Sequence, residues 1–255
     1  MPVDSAGTCL ARARHWWQSS DVPAADKAKK QPIVLAVDVG GSHVKVLLST
    51  GGERRRFESG PTMTAQQMVD GVLDLTKDLD YDVVSIGIPA PVAGGRVVHD
   101  PVNLGPGWVG FDFAKAFGKP TKVVNDAAMQ ALGSYEGGRM LFLGLGTGLG
   151  TAMVVNGLLE PMELGHLPYK KATYEDYVGL RGLERLGKRK WRDEVAEVVE
   201  SYVKAIEPDY VVIGGGNAKY LKELPPHARL GANENAFLGG FRLWQEDQAD
   251  RPSVS

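Results

Sequence analysis

The sequence predicts an α/β protein with two similar lobes that face each other across a cleft. Short, wholly apolar segments alternate with amphipathic helical segments, a pattern typical of buried strands covered by helices. One arrangement, a strand followed by a glycine turn and a second strand, occurs at 33–48 and recurs about a hundred residues later at 140–155. The recurrence indicates a weak duplication, in which a glycine hairpin opens each lobe.

Composition and charge argue against several classes of protein. The chain has 255 residues, of which 43% are hydrophobic and 24% charged, as in an ordinary globular protein. The net charge of −2 provides no basic field for nucleic acid, and no apolar run is long enough to predict a membrane span. The single cysteine, Cys9, excludes a disulfide framework within the chain. Because the N-terminus has no secretory apolar segment, we expect a cytoplasmic protein.

The first predicted lobe spans 32–124 and follows an N-terminal extension at 1–31, which contains Trp16 and Trp17 and has no buried-strand pattern. Apolar runs predict strands at 33–37, 44–48, 83–88 and 122–124. A helix is predicted over 64–79, because Thr64 and Gln67 form a capping box ahead of an apolar stripe. A short helix over 111–117 ends at Gly118.

The second predicted lobe spans 125–234. Its predicted strands are 140–145, 151–155 and 210–213, and its predicted helices are 126–133, 173–186 and 191–206, with a further helix after Asn217. A final helix over 235–244 is expected to join the first lobe, and 245–255 are expected to form a tail.

Asn125 and Asp126 lie where a predicted buried strand ends and a helix begins. In α/β sheets this is where ligands bind. The alternative is that one of the two residues only caps the helix. Glycine loops also follow apolar strands at three places, Gly40-Gly41, Gly146-Thr147-Gly148 and Gly214-Gly215-Gly216.

Such glycine loops allow backbone N–H groups to approach an anion closely. Asp38 precedes the first of them and could hold Mg²⁺ or its water shell beside that anion, and Lys45 adds a positive charge. Each loop alone could be a plain hairpin turn or helix start. Three of them, each at the end of an apolar strand, favour a phosphate site.

Five motifs occur in the order in which the ROK family of sugar kinases has them, and on these motifs the chain resembles that family from residue 33 to about residue 243. The resemblance implies the actin/hexokinase-like (ribonuclease H-like) ATPase fold and a phosphotransferase with an alcohol acceptor. The motifs are Asp38-Val39-Gly40-Gly41-Ser42-His43-Val44-Lys45, Val124-Asn125-Asp126-Ala127-Ala128, Leu145-Gly146-Thr147-Gly148-Leu149-Gly150, Glu163-Leu164-Gly165-His166 and Val212-Ile213-Gly214-Gly215-Gly216.

The resemblance also implies roles for single residues. Asp126 would be the general base for the 6-hydroxyl of glucose, and Asp38 would hold Mg²⁺ through water. The sugar would be bound by Asn103, Asn125, Glu163, His166 and Glu175. The phosphates and any nucleotide would be bound by Gly40, Gly41, Ser42, Lys45, Gly146, Thr147, Gly148, Gly214, Gly215 and Gly216.

Within the family, the chain is most similar to the branch that uses inorganic polyphosphate as donor, because a lysine follows Ser42 by three residues and Gly107-Trp108-Val109-Gly110 precedes a short helix. A polyanion would gain from a basic run, although a basic run at a helix C-terminus is more often a solvated end. ATP stays open as donor because Gly214–Gly216 could face an adenosine. The basic run comprises Arg181, Arg185, Lys188, Arg189, Lys190 and Arg192.

The chain departs from the patterns of family members in three respects. Many members have a cysteine-rich zinc loop after the Glu-x-Gly-His motif, but 167–174 contain no cysteine, so no zinc is expected. The turn that is usually Pro-Gly-Pro reads Pro89-Ala90-Pro91. The family's repressors carry an N-terminal helix-turn-helix, for which 1–31 leave too little chain, so no nucleic acid partner is expected. The resemblance suggests a homodimer.

Two other functions stay open. One is an ATP-dependent kinase for another hexose, such as mannose, fructose or an N-acetylhexosamine. The other is a non-catalytic sugar-sensing protein of the same fold. The presence of both Asp126 and Asp38 argues against the sensing protein.

Overall fold

Two five-stranded mixed sheets organise the residues that the computed structural model describes, which are 31–232 and 234–245. Strands β1 to β7 are Val34–Val39, His43–Leu48, Arg55–Glu58, Val83–Ile88, Val92–Ala93, Arg96–Val97 and Thr121–Asn125. Strands β8 to β14 are Arg139–Leu145, Leu149–Val155, Leu158–Met162, Pro168–Tyr169, Ala172–Thr173, Tyr210–Gly214 and Ala228–Leu230. The predicted N-terminal extension up to residue 30 and the predicted tail from residue 246 lie outside the described residues.

The helices connect and cover these strands. Helices α1 to α6 are Ala65–Leu75, Phe113–Phe117, Asp126–Ser134, Tyr174–Val178, Leu180–Ile206 and Asn235–Arg242. Two single turns of 3₁₀ helix are Leu164–His166 and Ala218–Tyr220. Among the described residues, none of the helices has both the length and the apolar character that crossing a lipid bilayer requires.

The two sheets have the same topology. The first sheet has the order β3-β2-β1-β4-β7 and the second has the order β10-β9-β8-β13-β14. In each sheet three antiparallel strands are followed by two parallel ones. The β1–β2 and β8–β9 hairpins are the two glycine hairpins that the sequence predicts, and they occupy equivalent places in the two sheets.

Local sequence explains where the elements of the first half begin and end. Thr64 and Gln67 form the predicted capping box of α1, and Met68, Val69 and Val72 are buried. The helix ends at Leu75 rather than at the predicted residue 79, since its C-cap, Thr76, leaves the helical conformation with φ of −116° and ψ of 13°. Helix α2 ends at Gly118, which has a left-handed φ of 63°.

The second half corrects two helix predictions and confirms a helix end. The helix expected over 173–186 is broken at Gly179, where a Cβ would lie 2.7 Å from the carbonyl oxygens of Glu175 and Thr147. The end expected at Gly187 is present, because its φ of 71° and ψ of 158° are not helical and divide α5 into two helical stretches. The helix expected after Asn217 is a single 3₁₀ turn.

Helices α3 and α6 cross with their backbones in contact. A Cβ on Gly133 would overlap the Asn235 carbonyl, and one on Gly239 would overlap the Met129 carbonyl. Helix α6 also rests on the first sheet, since a Cβ on Gly240 would lie 2.8 Å from the Ala36 Cβ. The crossing therefore fixes α3 relative to the first sheet.

Candidate active site

Strand β7 ends at Asn125, and helix α3 begins at Asp126. The Asn125 Oδ1 accepts hydrogen bonds from the N–H groups of Ala127 and Ala128 at 2.9 and 3.2 Å, and its Nδ2 donates to the Ala90 carbonyl at 3.1 Å. Asn125 therefore caps α3, as the sequence analysis allowed for one of the two residues Asn125 and Asp126. The Asp126 carboxylate also accepts the Ala127 N–H, at 2.8 Å.

Backbone from both sheets contacts the first turn of α3. In β4, a Cβ on Gly87 would lie 3.3 Å from the Asp126 Cα and 2.5 Å from the Met129 Cε. In β9, a Cβ on Gly150 would lie 2.7 Å from the Ala127 Cβ. These glycines allow an approach that side chains would block, so the first turn of α3, which begins with Asp126, lies between β4 of the first sheet and β9 of the second.

The Asp126 carboxyl is partly buried, and this environment alters its proton affinity. Withdrawal from water, together with the charge of Asp38, raises the pKa of Asp126 from 3.8 to about 6 against the opposing Ala127 hydrogen bond. Asp38 lies within β1 rather than after it, and its Oδ2 is 2.9 Å from the Lys45 Nζ. At neutral pH Asp126 is thus ionised yet close enough to its pKa to take a proton.

The first glycine turn is closed by its own backbone. The Gly40 N–H donates to the His43 carbonyl at 2.9 Å, and the Ser59 hydroxyl donates to the Gly40 carbonyl at 2.6 Å. A Cβ on Gly41 would lie 3.4 Å from the Asn103 Cβ. The turn therefore brings the predicted phosphate loop and the predicted sugar ligand Asn103 together. Ser42 is exposed in the same turn.

The second glycine turn is in contact with the third glycine loop. A Cβ on Gly215, where φ is 85°, would lie 2.5 Å from the Leu145 carbonyl oxygen. The Asn217 Nδ2 donates to the Gly146 carbonyl at 2.8 Å, and the Asn217 backbone N–H donates to the Leu145 carbonyl at 2.9 Å. Asn217 was not predicted as a site residue, although an asparagine directly after three glycines was a usable signal. Gly146–Gly148 and Gly214–Gly216 thus form one surface.

The predicted sugar ligands Glu163, His166 and Glu175 form a cluster. The His166 Nδ1 lies 3.6 Å from the Glu163 Oε2, and its Nε2 lies 3.8 Å from the Glu175 Oε2. The Glu175 Oε2 also lies 2.5 Å from where a Cβ on Gly148 would be. The sugar cluster therefore adjoins the second glycine turn.

Several cations of the basic run have partners that sequence reasoning missed. The run spans the interruption of α5 at Gly187, with Arg181 and Arg185 in the short helical stretch before it and the other four cations in the stretch after it. Arg181 pairs with Glu175 at 3.3 Å and Asp176 at 3.0 Å, and Arg185 donates to the Asp176 carbonyl at 2.9 Å. Lys188 lies 4.4 Å from the centre of the Tyr220 ring. The Arg192 Nε donates to the Tyr220 carbonyl at 2.6 Å.

Arg189 and Lys190 differ from those four. Neither forms an ion pair with any residue in the described part of the chain, and both side chains are exposed. Arg189 and Lys190 are therefore two exposed cations next to four that already contact other residues of the protein.

The donor set at Asp38 and Asp126 is compatible with Mg²⁺. Within 31–232 and 234–245, no group of three or more His, Cys, Asp and Glu side chains could hold a metal ion. Mg²⁺ is nevertheless commonly held by one or two carboxylates together with waters and substrate phosphates. The effect of Asp38 on the pKa of Asp126 places two carboxyl groups in one electrostatic environment. The expectation that no zinc is needed stays a prediction.

The family model described as "ROK family" matches residues 34–181. The chain belongs to the ROK family. This ROK protein is 27% identical over 221 residues to the polyphosphate glucokinase of Mycobacterium tuberculosis strain CDC 1551, an alignment that covers 78% of this chain and 82% of that one.

Solved structures show the same fold. The inorganic polyphosphate/ATP-glucomannokinase from Arthrobacter sp. strain KM superposes with a TM-score of 0.71 at 23% identity, over 83% of this chain and 97% of that one. The ROK family glucokinase from Streptomyces griseus, solved with glucose and AMPPNP, has a TM-score of 0.64 at 17% identity, over 83% and 99%. The predicted family, the actin/hexokinase-like fold and the class of phosphotransferases with an alcohol acceptor are confirmed.

Proposed function

We propose that this ROK sugar kinase transfers a phosphoryl group from inorganic polyphosphate, ATP or both to the 6-hydroxyl of glucose, with Asp126 as the general base. One observation carries the proposal. Asp126, with a pKa of about 6, lies on the first turn of α3, where backbone of the two sheets converges. The relatives named for polyphosphate and glucose support the choice of donor and acceptor.

The chemistry needs one proton transfer and one displacement. The Asp126 carboxylate takes the proton of the glucose 6-hydroxyl while the oxygen of that hydroxyl bonds to the terminal phosphorus of the donor. The bond from that phosphorus to its bridging oxygen breaks, and the electron pair leaves on the shortened polyphosphate or on ADP. Because this transfer relies on positioning and charge neutralisation, one well-placed carboxylate suffices as the base.

The sugar hydroxyls would be bound by side chains around Asp126. His166 lies between the carboxylates of Glu163 and Glu175, so this cluster offers both donors and acceptors. Asn125 has committed its oxygen to the cap and one amide hydrogen to the Ala90 carbonyl, which leaves its second amide hydrogen for a sugar oxygen. With Asn103, these groups could give each buried hydroxyl a partner.

The donor phosphates would lie against the glycine turns. Asp38 would hold Mg²⁺ through water, and Lys45, now paired with Asp38, would add a positive charge beside it. Mg²⁺ would supply neutralisation of the phosphate charge. The backbone N–H groups would come from Gly40, Gly41, Ser42, Gly146, Thr147 and Gly148, with Gly214, Gly215 and Gly216 facing a nucleotide when ATP is the donor.

A basic face runs away from these loops along α5. The helix starts at the second turn, where the Leu180 N–H donates to the Gly146 carbonyl at 3.0 Å. Since Arg181 and Arg185 are engaged with acidic or carbonyl partners, a polyphosphate chain would rely mainly on Lys188, Arg189 and Lys190. This interaction should weaken with added salt.

The direct test is to incubate the protein with glucose, Mg²⁺ and either polyphosphate or ATP and to assay glucose 6-phosphate. We expect product with at least one donor. Mannose is the second acceptor to test, because the Arthrobacter neighbour is named a glucomannokinase. Absence of product with both sugars and both donors would exclude the proposed activity.

The donor is tested by changing Lys188, Arg189 and Lys190 together to Ala. We expect kcat/KM for polyphosphate to fall by about tenfold, more at low salt than at high salt, with a smaller change for ATP. Changing Lys77, Lys115 and Lys119 together removes equal charge elsewhere and should leave both donors nearly unaffected. If polyphosphate supports no turnover, the protein is an ATP-dependent kinase. An unchanged kcat/KM in the first triple variant would exclude this face as the polyphosphate track.

A further inference from the structure

The segment that connects the predicted sugar ligands His166 and Glu175 is a minimal hairpin. Its strands, β11 and β12, have two residues each and form two pairs, Pro168 with Thr173 and Tyr169 with Ala172. A hairpin of this size is not stable by itself. The positions of both ligands must therefore depend on what the hairpin contacts.

Lys170, at the tip of the hairpin, binds two glutamates of α5. Its Nζ lies 2.6 Å from the Glu194 Oε2 and 3.0 Å from the Glu197 Oε2. The tip has a left-handed backbone, with φ of 51° at Lys170, which directs the chain around the turn. The Glu194 side chain is only 18% exposed, so this ion pair is better shielded from water than a typical surface pair.

Tyrosine rings surround the same ammonium group. The Tyr169 ring stacks on Tyr174 with centroids 4.5 Å apart and meets Tyr177 edge-on at 5.1 Å. The Lys170 Nζ lies 4.8 Å from the centre of the Tyr169 ring. The Tyr169 hydroxyl also donates to the Glu194 Oε2 at 3.0 Å. Stacking, cation–π contact and hydrogen bonding thus converge on the tip of the hairpin.

The other end of the segment is also attached to α5. The Tyr202 hydroxyl donates to the Leu164 carbonyl at 3.0 Å, within the 3₁₀ turn that contains His166. The Tyr202 ring lies 4.8 Å from that of Tyr174, which directly precedes Glu175. The two ligands are therefore held to one long helix from both sides.

We infer that Lys170, through Glu194 and Glu197 of α5, is a positioning residue that fixes His166 and Glu175 for sugar binding. The inference rests on the proposed function, because it concerns the same sugar site. Lys170 acts through the hairpin and touches no reacting group. Its loss should therefore weaken sugar binding and leave the donor site and the base largely intact.

The test is the variant Lys170→Met, which keeps most of the stem and removes the charge. We expect KM for glucose to rise about tenfold, while KM for the donor and kcat each change by less than about threefold. Lys170→Arg retains the charge and should restore most of the glucose affinity. Backbone amides of 163–175 should exchange hydrogen faster in Lys170→Met than in the wild type.

The matched control is Lys204→Met. Lys204 lies on α5 and pairs with Glu200 at 2.6 Å, so this variant also removes a lysine–glutamate pair but leaves the hairpin alone. It should change neither KM for glucose nor exchange at 163–175. Equal effects of the two variants, or an unchanged glucose KM in Lys170→Met, would overturn the inference.

Two further measurements keep the test decisive. If Lys170→Met does not fold, Tyr169→Phe removes only the hydroxyl that binds Glu194, and we expect a rise of about threefold in glucose KM. An unchanged KM in that variant would contradict the inference. If the wild-type protein phosphorylates no sugar, the proposed function fails. The exchange comparison at 163–175 then still decides whether Lys170 fixes the segment.

Discussion

The two glycine hairpins have the same topology but differ at their second-to-last residue pair before the turn. In β1–β2 that pair is Asp38 with Lys45, joined by an ion pair of 2.9 Å. In β8–β9 the equivalent pair is Gly144 with Gly150. At this position the first hairpin has two charged side chains, whereas the second has two glycines. Gly150 of the second hairpin contacts Ala127 in the first turn of α3.

Under the proposed function, this difference would divide one task between two hairpins of the same topology. Phosphoryl transfer requires positive charge and metal near the phosphates and close approach of backbone and base to the reacting atoms. The first hairpin would supply the charge through Lys45 and through Mg²⁺ held by Asp38. The second would supply the space, and charges near it come from α4 and α5, where Glu175 lies against Gly148 and pairs with Arg181.

The largest effect is expected from removing charge at the first hairpin. Asp38→Asn should lower kcat by about a hundredfold or more, because the proposed Mg²⁺ ligand is lost. Thr147→Ala in the second turn should lower kcat by less than about fivefold, because that turn acts through its backbone. Steady-state kinetics with glucose and saturating Mg²⁺ measure both. Similar losses in the two variants would contradict the division between the hairpins.

A smaller effect is expected from filling the space at the second hairpin. Gly150→Ala would place a Cβ 2.7 Å from the Ala127 Cβ and shift the turn that carries Asp126. We expect kcat to fall by about tenfold, because misplacing a catalytic group by a fraction of an ångström is costly. Gly144→Ala is the control, since its Cβ would meet a ring edge of Phe142 at 3.3 Å and lie at an ordinary contact distance of 3.7 Å from the Ala127 Cβ. Equal kcat values for Gly150→Ala and the wild type would show that the contact does not position Asp126.

The smallest effect concerns stability. The folded-state pKa of Asp126 is raised from 3.8 to about 6, so this carboxyl favours folding most below pH 4 and loses that contribution as the pH rises through 6. Asp126→Asn removes the buried charge and should be more stable than the wild type by ~1–2 kcal/mol at pH 8. The difference should vanish near pH 4. Chemical unfolding at the two pH values measures it, and a less stable variant at pH 8 would contradict the assigned environment.

Much of the fold was readable from the sequence because its central elements have strong patterns. The largely apolar runs of β1, β4, β8 and β13 and the capping box of α1 predicted those elements. The edge strands β3, β10 and β14 were missed, since Arg55–Glu58 is mostly charged and Leu158–Met162 contains a proline. The break at Gly179 was missed because its cause is a contact with Thr147, which is distant in sequence.

The sequence predicted the candidate site residues that belong to motifs, but it did not predict the tertiary contacts that position them. Asp126 and the glycine loops were predicted from strand ends and family motifs, and the structure places the first turn of α3 against Gly150 of the second glycine hairpin. The pairing of Arg181 with Glu175 and the contacts of Lys170 with α5 were not predicted. Both join residues whose proximity follows from the path of α4 and α5, and no local pattern encodes that path.

The most direct test of Asp126 as the general base is the turnover of Asp126→Asn together with the pH profile of the wild type. We expect kcat of the variant to fall by about a hundredfold or more, with glucose affinity within a few-fold of the wild type. We also expect wild-type kcat/KM to decline below pH 6, where Asp126 becomes protonated. A variant that keeps most of its kcat, or a profile that is flat down to pH 4.5, would contradict Asp126 as the base.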